Sequence, residues 1–189
     1  MTEQELIAYL IKGDENAFKL LVNTYKKMVY NTVLGFVQNT HDAEDVTQDV
    51  FIKVFEGIGK FKQQSKLSTW IYRISITQSL DFARHKNRKK RTGFLTSLFG
   101  TDNTPLHEPA DFAHPGVLAE NKEQAAILFG AINQLSENQK TAFILQKVQD
   151  MSQQKIAEVM GIKEGAVESL LTRAKANLKK LLIDYYSSL

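Results

Sequence analysis

The stretch QQKIAEVMGIKEGAVESLL, residues 153–171, has the spacing of a helix-turn-helix. A small residue at its fifth position, Ala157, lets two helices approach each other closely. Gly161, at the ninth position, tolerates the left-handed backbone of a tight turn, and Val167, at the fifteenth, seats the second helix on the first. We expect the rest of this core to be Ile156, Met160, Ile162 and Leu170. A plain helical hairpin is the alternative to a DNA-binding unit.

The second helix of this unit has a polar face that is suited to DNA. In a DNA-bound helix-turn-helix, that helix lies in the major groove with its N-terminal part on base edges. Arg173 suits a phosphate or a guanine, and Glu168 suits a cytosine amino group, although Glu168 is equally consistent with a solvated charge. The candidate contacts are Lys163, Glu164, Glu168, Ser169, Thr172, Arg173 and Lys175.

Helical periodicity extends outward from this unit over most of the 189 residues. Apolar residues recur at three- and four-residue steps and strand-like alternation is absent, which predicts an all-α protein. The expected helices cover residues 2–11, 15–37, 42–57, 69–89, 117–134, 137–148, 153–160 and 164–185. All three prolines lie within residues 92–116, which lack this periodicity. We therefore predict two small helical domains, 1–91 and 117–189, joined by a flexible linker at 92–116, with the helix-turn-helix in the C-terminal domain.

The distribution of charge says more about partners than the net charge of +3. Residues 51–91 hold 11 Lys or Arg against 2 Asp or Glu, and such a local excess is typical of nucleic-acid binding. The chain has no cysteine, which excludes disulfides and thiolate metal sites and fits a reducing compartment. It has no recognisable secretory signal and no apolar run of about 20 residues, so we expect a soluble cytoplasmic protein.

Cations and aromatic rings alternate in the basic segment. Lys60, Lys62 and Lys66 lie in an expected loop, and Trp70 and Arg73 lie in the helix that follows. Cations can track phosphates while flat rings stack on unpaired bases, at about 1–3 kcal/mol per base, so the segment predicts binding of single-stranded nucleic acid. The alternative is that Trp70 belongs to the hydrophobic core and that the basic residues form a solvated helix end.

An acidic stretch, DAEDVTQDVFIKVFEGIGKF at residues 42–61, precedes the basic segment. Thr40 and Asp42 are candidate N-caps, and Glu44 and Asp45 are expected in the first turn, where the helix dipole favours anions. The expected buried stripe is Val46, Val50, Phe51, Val54 and Phe55. Asp49 is explained by neither role, and we expect it on the outward side with Gln48 and Ile52. An acidic patch with apolar edges suits a basic protein helix and would repel DNA.

Taken in order, these motifs resemble those of an extracytoplasmic-function (ECF) sigma factor of bacterial RNA polymerase. The order is AFKLLVNTYKKMVYN, DAEDVTQDVFIKVF and LSTWIYRI in the first half, then INQLSENQKTAFIL and KIAEVMGIKEGAVESLLTRAKANLKKL in the second. The resemblance covers nearly the whole chain. It implies sigma region 2 at 1–91 and sigma region 4 at 117–189, acting together as a transcription initiation factor that directs core polymerase to promoters and opens them.

The resemblance also implies a role for each surface. The helix of the acidic stretch would bind the clamp helices of the largest polymerase subunit through Asp42, Glu44, Asp45, Gln48, Asp49 and Ile52. The melted minus-ten strand would be held by Lys60, Lys62, Lys66, Leu67, Ser68, Trp70, Arg73, Thr77, Arg84 and Arg88. The polar face of the helix-turn-helix would read the minus-thirty-five element, and region 4 would dock on the flap of the second-largest subunit.

The chain departs from the usual family pattern at a few positions, which affects promoter choice. Thr77 stands where many members have an asparagine that can contact the minus-ten strand, and Leu67 stands where many have an aromatic residue. Lys155 replaces a common glutamate in the first helix of the helix-turn-helix, and Glu168 replaces a common basic residue in the second.

By analogy with the family, we also expect an anti-sigma factor as a partner. An ordinary helix-turn-helix regulator is the alternative function, but it would leave the acidic stretch without a role. An enzyme is a third class, which the scattered His41, His85, His107 and His114 and the absence of a phosphate-binding loop or nucleophile motif do not favour. We expect no cofactor, no metal site, no small-molecule substrate and no catalytic residue.

Overall fold

A computed structural model describes the backbone of residues 1–99 and 122–187, and the side-chain surroundings of residues 1–88 and 124–183. Within these ranges the chain forms eight α-helices and one short 3-10 helix, with no strand. The prediction of an all-α protein with two helical domains is confirmed. None of the helices in the described ranges is long and apolar enough to cross a membrane.

The N-terminal domain consists of four helices around one hydrophobic core. Its elements are α1 (Glu3–Ile11), α2 (Glu15–Val37), α3 (Thr40–Gly57), a 3-10 turn (Ile58–Lys60) and α4 (Leu67–Phe99). Each helix turns one apolar stripe inward, as its spacing predicts. Fully buried core residues include Leu21, Val29, Val33, Val46, Val50, Val54, Leu67 and Ile71.

The start of α3 differs from the expectation. Its N-cap is Asn39, whose Oδ1 accepts the Asp42 N–H at 2.9 Å. Thr40 is the first helical residue, so neither Thr40 nor Asp42 is the cap. Because the helix begins before residue 42, Glu44 and Asp45 lie beyond the first turn, where the helix dipole favours carboxylates less.

Both ends of α4 also differ from the expectation. The helix begins at Leu67 rather than 69, because the Glu3 Oε1 of α1 accepts the Leu67 N–H at 3.1 Å. It continues to Phe99, past the expected end at 89. A glycine such as Gly93 costs a helix only about 1 kcal/mol, and no proline interrupts this part of the chain. The predicted linker start at 92 therefore lies inside α4, and the remainder of the predicted linker lies outside the described residues from residue 100 onward.

The C-terminal domain contains α5 (Lys122–Asn133), α6 (Glu137–Lys147), α7 (Gln153–Met160) and α8 (Glu164–Ser187). The expected start of α5 at 117 lies outside the described residues. Ser136 is the N-cap residue of α6, although its side chain makes no capping hydrogen bond. Ser152 caps α7, because its Oγ accepts the Lys155 N–H at 3.2 Å.

α7 and α8 form the helix-turn-helix that the sequence predicts. Gly161 ends α7 with a φ of 66°, the left-handed conformation for which the turn requires glycine. Ala157 and Val167 are buried between the two helices. Ile162 is the exception, because this residue, expected in the core, keeps 37% of its surface exposed.

The two domains are in contact along two helix pairs, α2 with α6 and α4 with α7. At the first pair, a Cβ built on Gly35 of α2 would lie 2.9 Å from the Cγ2 of Ile144 on α6. At the second, Tyr72 and Ile76 of α4 pack against the hydrophobic cluster of the helix-turn-helix. This contact positions the candidate surfaces relative to one another.

Candidate functional site

The outward face of α3 carries an acidic patch with an apolar edge. Glu44, Asp45, Gln48 and Asp49 are exposed, and Ile52 keeps 52% of its surface exposed. The Asp45 Oδ2 lies 3.4 Å from the Nδ1 of His41, one turn earlier in the helix. These five residues thus lie together on one helix face, as expected.

Two predictions on α3 need correction. Asp42 is not available on the patch, because its Oδ2 lies 2.6 Å from the Lys86 Nζ of α4 and only 19% of its side chain is exposed. Phe55 was expected in the buried stripe, yet 49% of its surface is exposed, while its ring contacts that of Phe18 at 5.3 Å between centroids. The acidic patch therefore loses Asp42 and gains Phe55 beside Ile52.

The loop before α4 presents its cations but not its apolar residue. Lys60, Lys62 and Lys66 are exposed. Leu67 has no exposed surface and belongs to the core of the N-terminal domain, so the prediction that it contacts DNA is corrected for this conformation. Its position at the first turn of α4 explains this, because that turn is tucked against α1.

Trp70 is half-buried and belongs to the packing of this loop. Its ring stacks on Phe61 with 4.9 Å between centroids and an interplanar angle of 27°. The edge of the indole lies over Gly57, where a Cβ would be 3.2 Å from the ring. The alternative interpretation of Trp70 as a packing residue is thus supported, while Ser68 beside it remains partly exposed.

Arg73 is engaged by the C-terminal domain. Its Nε donates to the Val159 carbonyl at 3.0 Å and its Nη2 donates to the Glu158 carbonyl at 2.7 Å. Both carbonyls lie in the last turn of α7, where a cation is favoured by the helix dipole. A residue predicted to hold a DNA strand therefore binds a protein helix end in this conformation.

A polar cluster beside Arg73 continues this contact. The Lys155 Nζ donates to the Thr69 Oγ1 at 2.7 Å and to the Glu158 Oε2 at 2.9 Å, and Thr69 donates to the Glu158 Oε1 at 2.7 Å. Thr69 is completely buried. The hydrogen bonds from Lys155 and Thr69 lower the pKa of the Glu158 carboxyl below its ordinary value. Lys155, one of the positions at which the sequence departs from the usual family pattern, thus forms a hydrogen bond with Thr69 of α4.

The rest of the predicted strand path runs along α4. Thr77 is exposed, and its hydroxyl donates to the Arg73 carbonyl within the helix. Arg84 is held by two carboxylates, with its Nε 2.8 Å from the Glu137 Oε1 of α6 and its Nη1 2.9 Å from Asp81. Arg88 is exposed. The path is therefore partly bound by the C-terminal domain and partly open.

The predicted reading face of α8 is accessible over its whole length. The exposed residues are Lys163, Glu164, Glu168, Ser169, Thr172, Arg173 and Lys175. The Ser169 hydroxyl donates to the Gly165 carbonyl, one turn earlier. None of the charged side chains in this set forms a salt bridge with another residue in the described part of the chain.

A buried lysine between the domains was missed by the sequence analysis. The Lys140 Nζ of α6 donates to the Phe36 carbonyl at 3.0 Å and to the Asn133 Oδ1 at 2.6 Å. Only 7% of Lys140 is exposed, and burial lowers the pKa of its ammonium from 10.5 to about 8. Gln38 and Asn133 exchange amide hydrogen bonds beside it. A lysine in the middle of an apolar helical pattern was the available signal.

Comparison with known proteins assigns both domains to one family. Residues 21–89 match Sigma-70 region 2, and residues 126–178 match Sigma-70, region 4. The chain is 30% identical over 180 residues to the RNA polymerase sigma-H factor of Pseudomonas aeruginosa, covering 95% of this chain and 93% of that protein. It is 30% identical over 189 residues to the ECF RNA polymerase sigma factor SigW of Bacillus subtilis, covering 97% and 98%.

Solved structures share the fold. CnrH, in complex with the cytosolic domain of CnrY, superposes with a TM-score of 0.65 at 21% identity, covering 96% of this chain and 97% of that one. The sigma factor RpoE of Bartonella quintana, in complex with the anti-sigma factor NepR, superposes with a TM-score of 0.59 at 23% identity, covering 87% and 96%.

Proposed function

Since the chain belongs to the ECF sigma factors, and is therefore a transcription initiation factor that recognises promoters, we propose that three of its surfaces divide this work. The acidic patch on α3 binds core RNA polymerase. The loop and the outer face of α4 hold the melted minus-ten strand. The polar face of α8 reads the minus-thirty-five element.

The α3 patch suits a basic protein helix. Its carboxylates Glu44, Asp45 and Asp49 would repel DNA, whereas the exposed Ile52 and Phe55 offer apolar area that a protein partner can bury. The clamp helices of the largest polymerase subunit are the partner that we propose. Asp42 serves instead as an internal ion-pair partner of α4.

The side chains that we propose to bind the strand are mostly cations, together with a few polar residues. Lys60, Lys62 and Lys66 line the loop before α4, and Arg88 extends the path along the helix. Phosphate contacts by such residues release counterions and make binding fall steeply with salt. Trp70 acts mainly by supporting the loop through its stack on Phe61.

The observation that carries the proposal is the free reading face of α8. An α-helix fits the major groove, and the N-terminal turns of the second helix of a helix-turn-helix contact base edges. Here that part of α8 is exposed and its charges are free of salt bridges within the described residues. Lys163, Arg173 and Lys175 supply phosphate or guanine contacts, and Glu168 supplies an acceptor for cytosine. Region 4 would also dock on the polymerase flap.

Further parts of the assignment follow from the family. We propose that the chain itself catalyses no reaction, because the polymerase performs the chemistry, and that it works in the cytoplasm, where the polymerase is. We also propose an anti-sigma partner, since the sigma factor RpoE of Bartonella quintana, which has the same fold, was solved in complex with the anti-sigma factor NepR.

Run-off transcription tests the proposal. The template is the DNA directly upstream of this protein's own gene, and the reactions contain core polymerase with and without the purified chain. We expect a transcript with a defined start only when the chain is present. A chain that neither binds core polymerase nor changes its start sites would contradict the proposal.

A further inference from the structure

A cavity of about 360 Å³ lies where the end of α2, the middle of α4 and the start of α6 meet. Cavities of roughly 300–1,000 Å³ are typical of small-molecule sites, which combine apolar walls with a few polar groups. Here the apolar walls include Val37, Leu80, Phe82 and Leu135. The cavity is therefore large enough for a small organic molecule, and its lining suits one that has an apolar body.

A buried ammonium forms part of the polar wall of this cavity. Lys140 lines it together with Phe36 and Asn133, whose oxygens accept two of the N–H groups of the Lys140 Nζ. A lysine ammonium has three N–H groups, and no acceptor in the described part of the chain takes the third. A molecule in the cavity can therefore accept a hydrogen bond from Lys140.

The same ammonium has no counter-ion. Only 7% of Lys140 is exposed, and both of its acceptors are neutral. It forms no ion pair with an aspartate or glutamate among the residues that the structure describes. Burial lowers the pKa of this ammonium to about 8, although the charge of Glu137 acts in the opposite direction. Because buried charges in proteins are ordinarily paired, an anion beside the Nζ would supply the partner that the chain does not.

The other cations that line the cavity already have carboxylate partners. Arg84 is bound by Glu137 and by a second carboxylate of its own helix, and Lys86 is bound by Asp42. Lys140 is thus left to compensate one negative charge. A carboxylate carries one such charge, whereas a phosphate monoester carries about 1.5 to 2 at neutral pH, and the excess would be repelled by Glu137. The charges of the site therefore favour a carboxylate.

We propose that this cavity is a binding site for a small organic carboxylate, which accepts the third N–H of Lys140 and packs its apolar body against Leu80 and Phe82. A hydrogen bond between two charged groups is about twice as strong as one between neutral groups, so the carboxylate provides most of the specificity. The site shares Arg84 with the proposed strand path and no residue with the polymerase patch or the reading face. It therefore does not depend on the proposed function.

Two variants separate the role of the ammonium from that of the cavity. Lys140→Met removes the ammonium and keeps most of the side-chain volume. Lys147→Met is its matched control, because Lys147 is an exposed lysine at the other end of α6. Ala83→Leu adds bulk to a residue that lines the cavity and leaves every charge in place. Circular dichroism shows whether each variant folds, and Ala83→Leu takes over the test if Lys140→Met does not.

Isothermal titration calorimetry at pH 7 measures binding to the whole chain. The probes are benzoate and butyrate, their neutral amides benzamide and butyramide, and phenyl phosphate. We expect both carboxylates to bind with one-to-one stoichiometry, and the amides and phenyl phosphate to bind at least about tenfold more weakly, because they lack the charge or carry too much of it. Carboxylate binding should weaken about tenfold or more in Lys140→Met and in Ala83→Leu, and should not change in Lys147→Met.

The pH dependence of binding gives a readout that a change of packing alone would not produce. Besides Lys140, the charged residues that line the cavity are Arg84, Lys86 and Glu137, whereas α2 and α5 contribute neutral residues. The hydrogen bonds between Arg84 and Glu137 raise the pKa of Arg84 and lower that of Glu137, so neither changes charge between pH 7 and pH 9. With a pKa of about 8, Lys140 loses most of its charge over this range, and the affinity of the wild type for benzoate should fall about tenfold. The fall should persist in Lys147→Met and be absent in Lys140→Met.

Three results would overturn the proposal: no saturable binding of either carboxylate to the wild type, equal affinity for a carboxylate and its amide, or an affinity that is unchanged in Lys140→Met. Should Lys140→Met not fold, an unchanged affinity in Ala83→Leu has the same meaning. Phenyl phosphate that binds more tightly than benzoate would overturn the assignment of the site to carboxylates.

Discussion

The environment of Lys140 differs strongly from that of an ordinary surface lysine. Its side chain is buried between the two domains, with the Nζ 5.6 Å from the centroid of the Phe36 ring. The Nζ donates to two oxygens, one on α2 and one on α5. Burial disfavours the charged form, and the neutral oxygens that it contacts offset only part of that cost. The residue therefore makes the stability of the interface depend on pH.

Replacing Lys140 with Met keeps most of the side-chain volume and removes the titrating group. Because the pKa of Lys140 is about 8 in the folded chain and 10.5 when unfolded, the unfolded chain binds more protons between these values. Stability due to this residue therefore rises with pH in that window. The free energy of unfolding of the wild type minus that of Lys140→Met should increase from about pH 8 to pH 10, by up to about 1.4 kcal/mol per unit. Urea unfolding followed by circular dichroism measures it, and a difference that is flat or falls would contradict the assignment.

Residue-level predictions succeeded where the cause is local and failed where it is distant. The exposure of Asp49 and the burial of Val167 follow from helical spacing alone. The withdrawal of Asp42 from the acidic patch depends on Lys86, which lies 44 residues away. The engagement of Arg73 depends on α7, more than 80 residues away. The spacing of residues within one segment carries no information about residues so far away, so the sequence analysis could not identify these partners.

At the scale of elements, the turn between α7 and α8 shows how a single backbone conformation fixes two helices. Gly161 has a positive φ, and Ile162 N–H donates back to the Ala157 carbonyl at 3.1 Å, closing the end of α7. This turn sets the angle between α7 and α8, and with it the direction in which the predicted reading face of α8 points. Its geometry could be predicted from sequence, because a left-handed residue is required there and glycine adopts it readily.

Gly161→Ala should destabilise the C-terminal domain by about 1 kcal/mol, because a Cβ is strained at φ 66° even though no atom crowds it. Gly165→Ala, four residues later within α8, also meets open space but has no positive φ. That variant should be neutral or stabilising by about 0.5 kcal/mol, because alanine is the better helix former. Thermal unfolding followed by circular dichroism compares the pair. Equal shifts in the two variants would refute the role of the turn.

Helix ends were the least predictable elements, again because of distant partners. α4 begins where a carboxylate of α1, Glu3, meets the Leu67 N–H. Nothing near Leu67 in the sequence indicates that cap. At its other end α4 continues past Gly93 to Phe99, since one glycine weakens a helix without ending it. The cap of α3 was missed by one residue. Asn39, Thr40 and Asp42 all have side chains that can cap a helix, and the backbone conformation at Asn39, which is extended just before the helix begins, makes Asn39 the cap.

At the scale of the whole molecule, opposite charges are segregated onto two surfaces of the N-terminal domain, to which we assign two different partners. The acidic patch of α3 and the basic path of α4 belong to the same four-helix unit, which keeps them in a fixed relation. An acidic surface repels DNA and attracts a basic helix, while a basic surface does the reverse. The small net charge of +3 thus combines one surface of negative charge with another of positive charge.

Asp49→Lys tests this division, because it reverses a charge at the centre of the acidic patch without touching the basic path. Binding to core polymerase should weaken roughly tenfold or more, since like charges would then face each other across the interface. The start site of any remaining transcript should not change, because the strand and reading surfaces are intact. Glu15→Lys, an equal charge change at an exposed position of α2, is the control and should have little effect. Polymerase titration and run-off assays give both quantities. An altered promoter preference at unchanged polymerase affinity would show that the acidic patch serves DNA recognition instead.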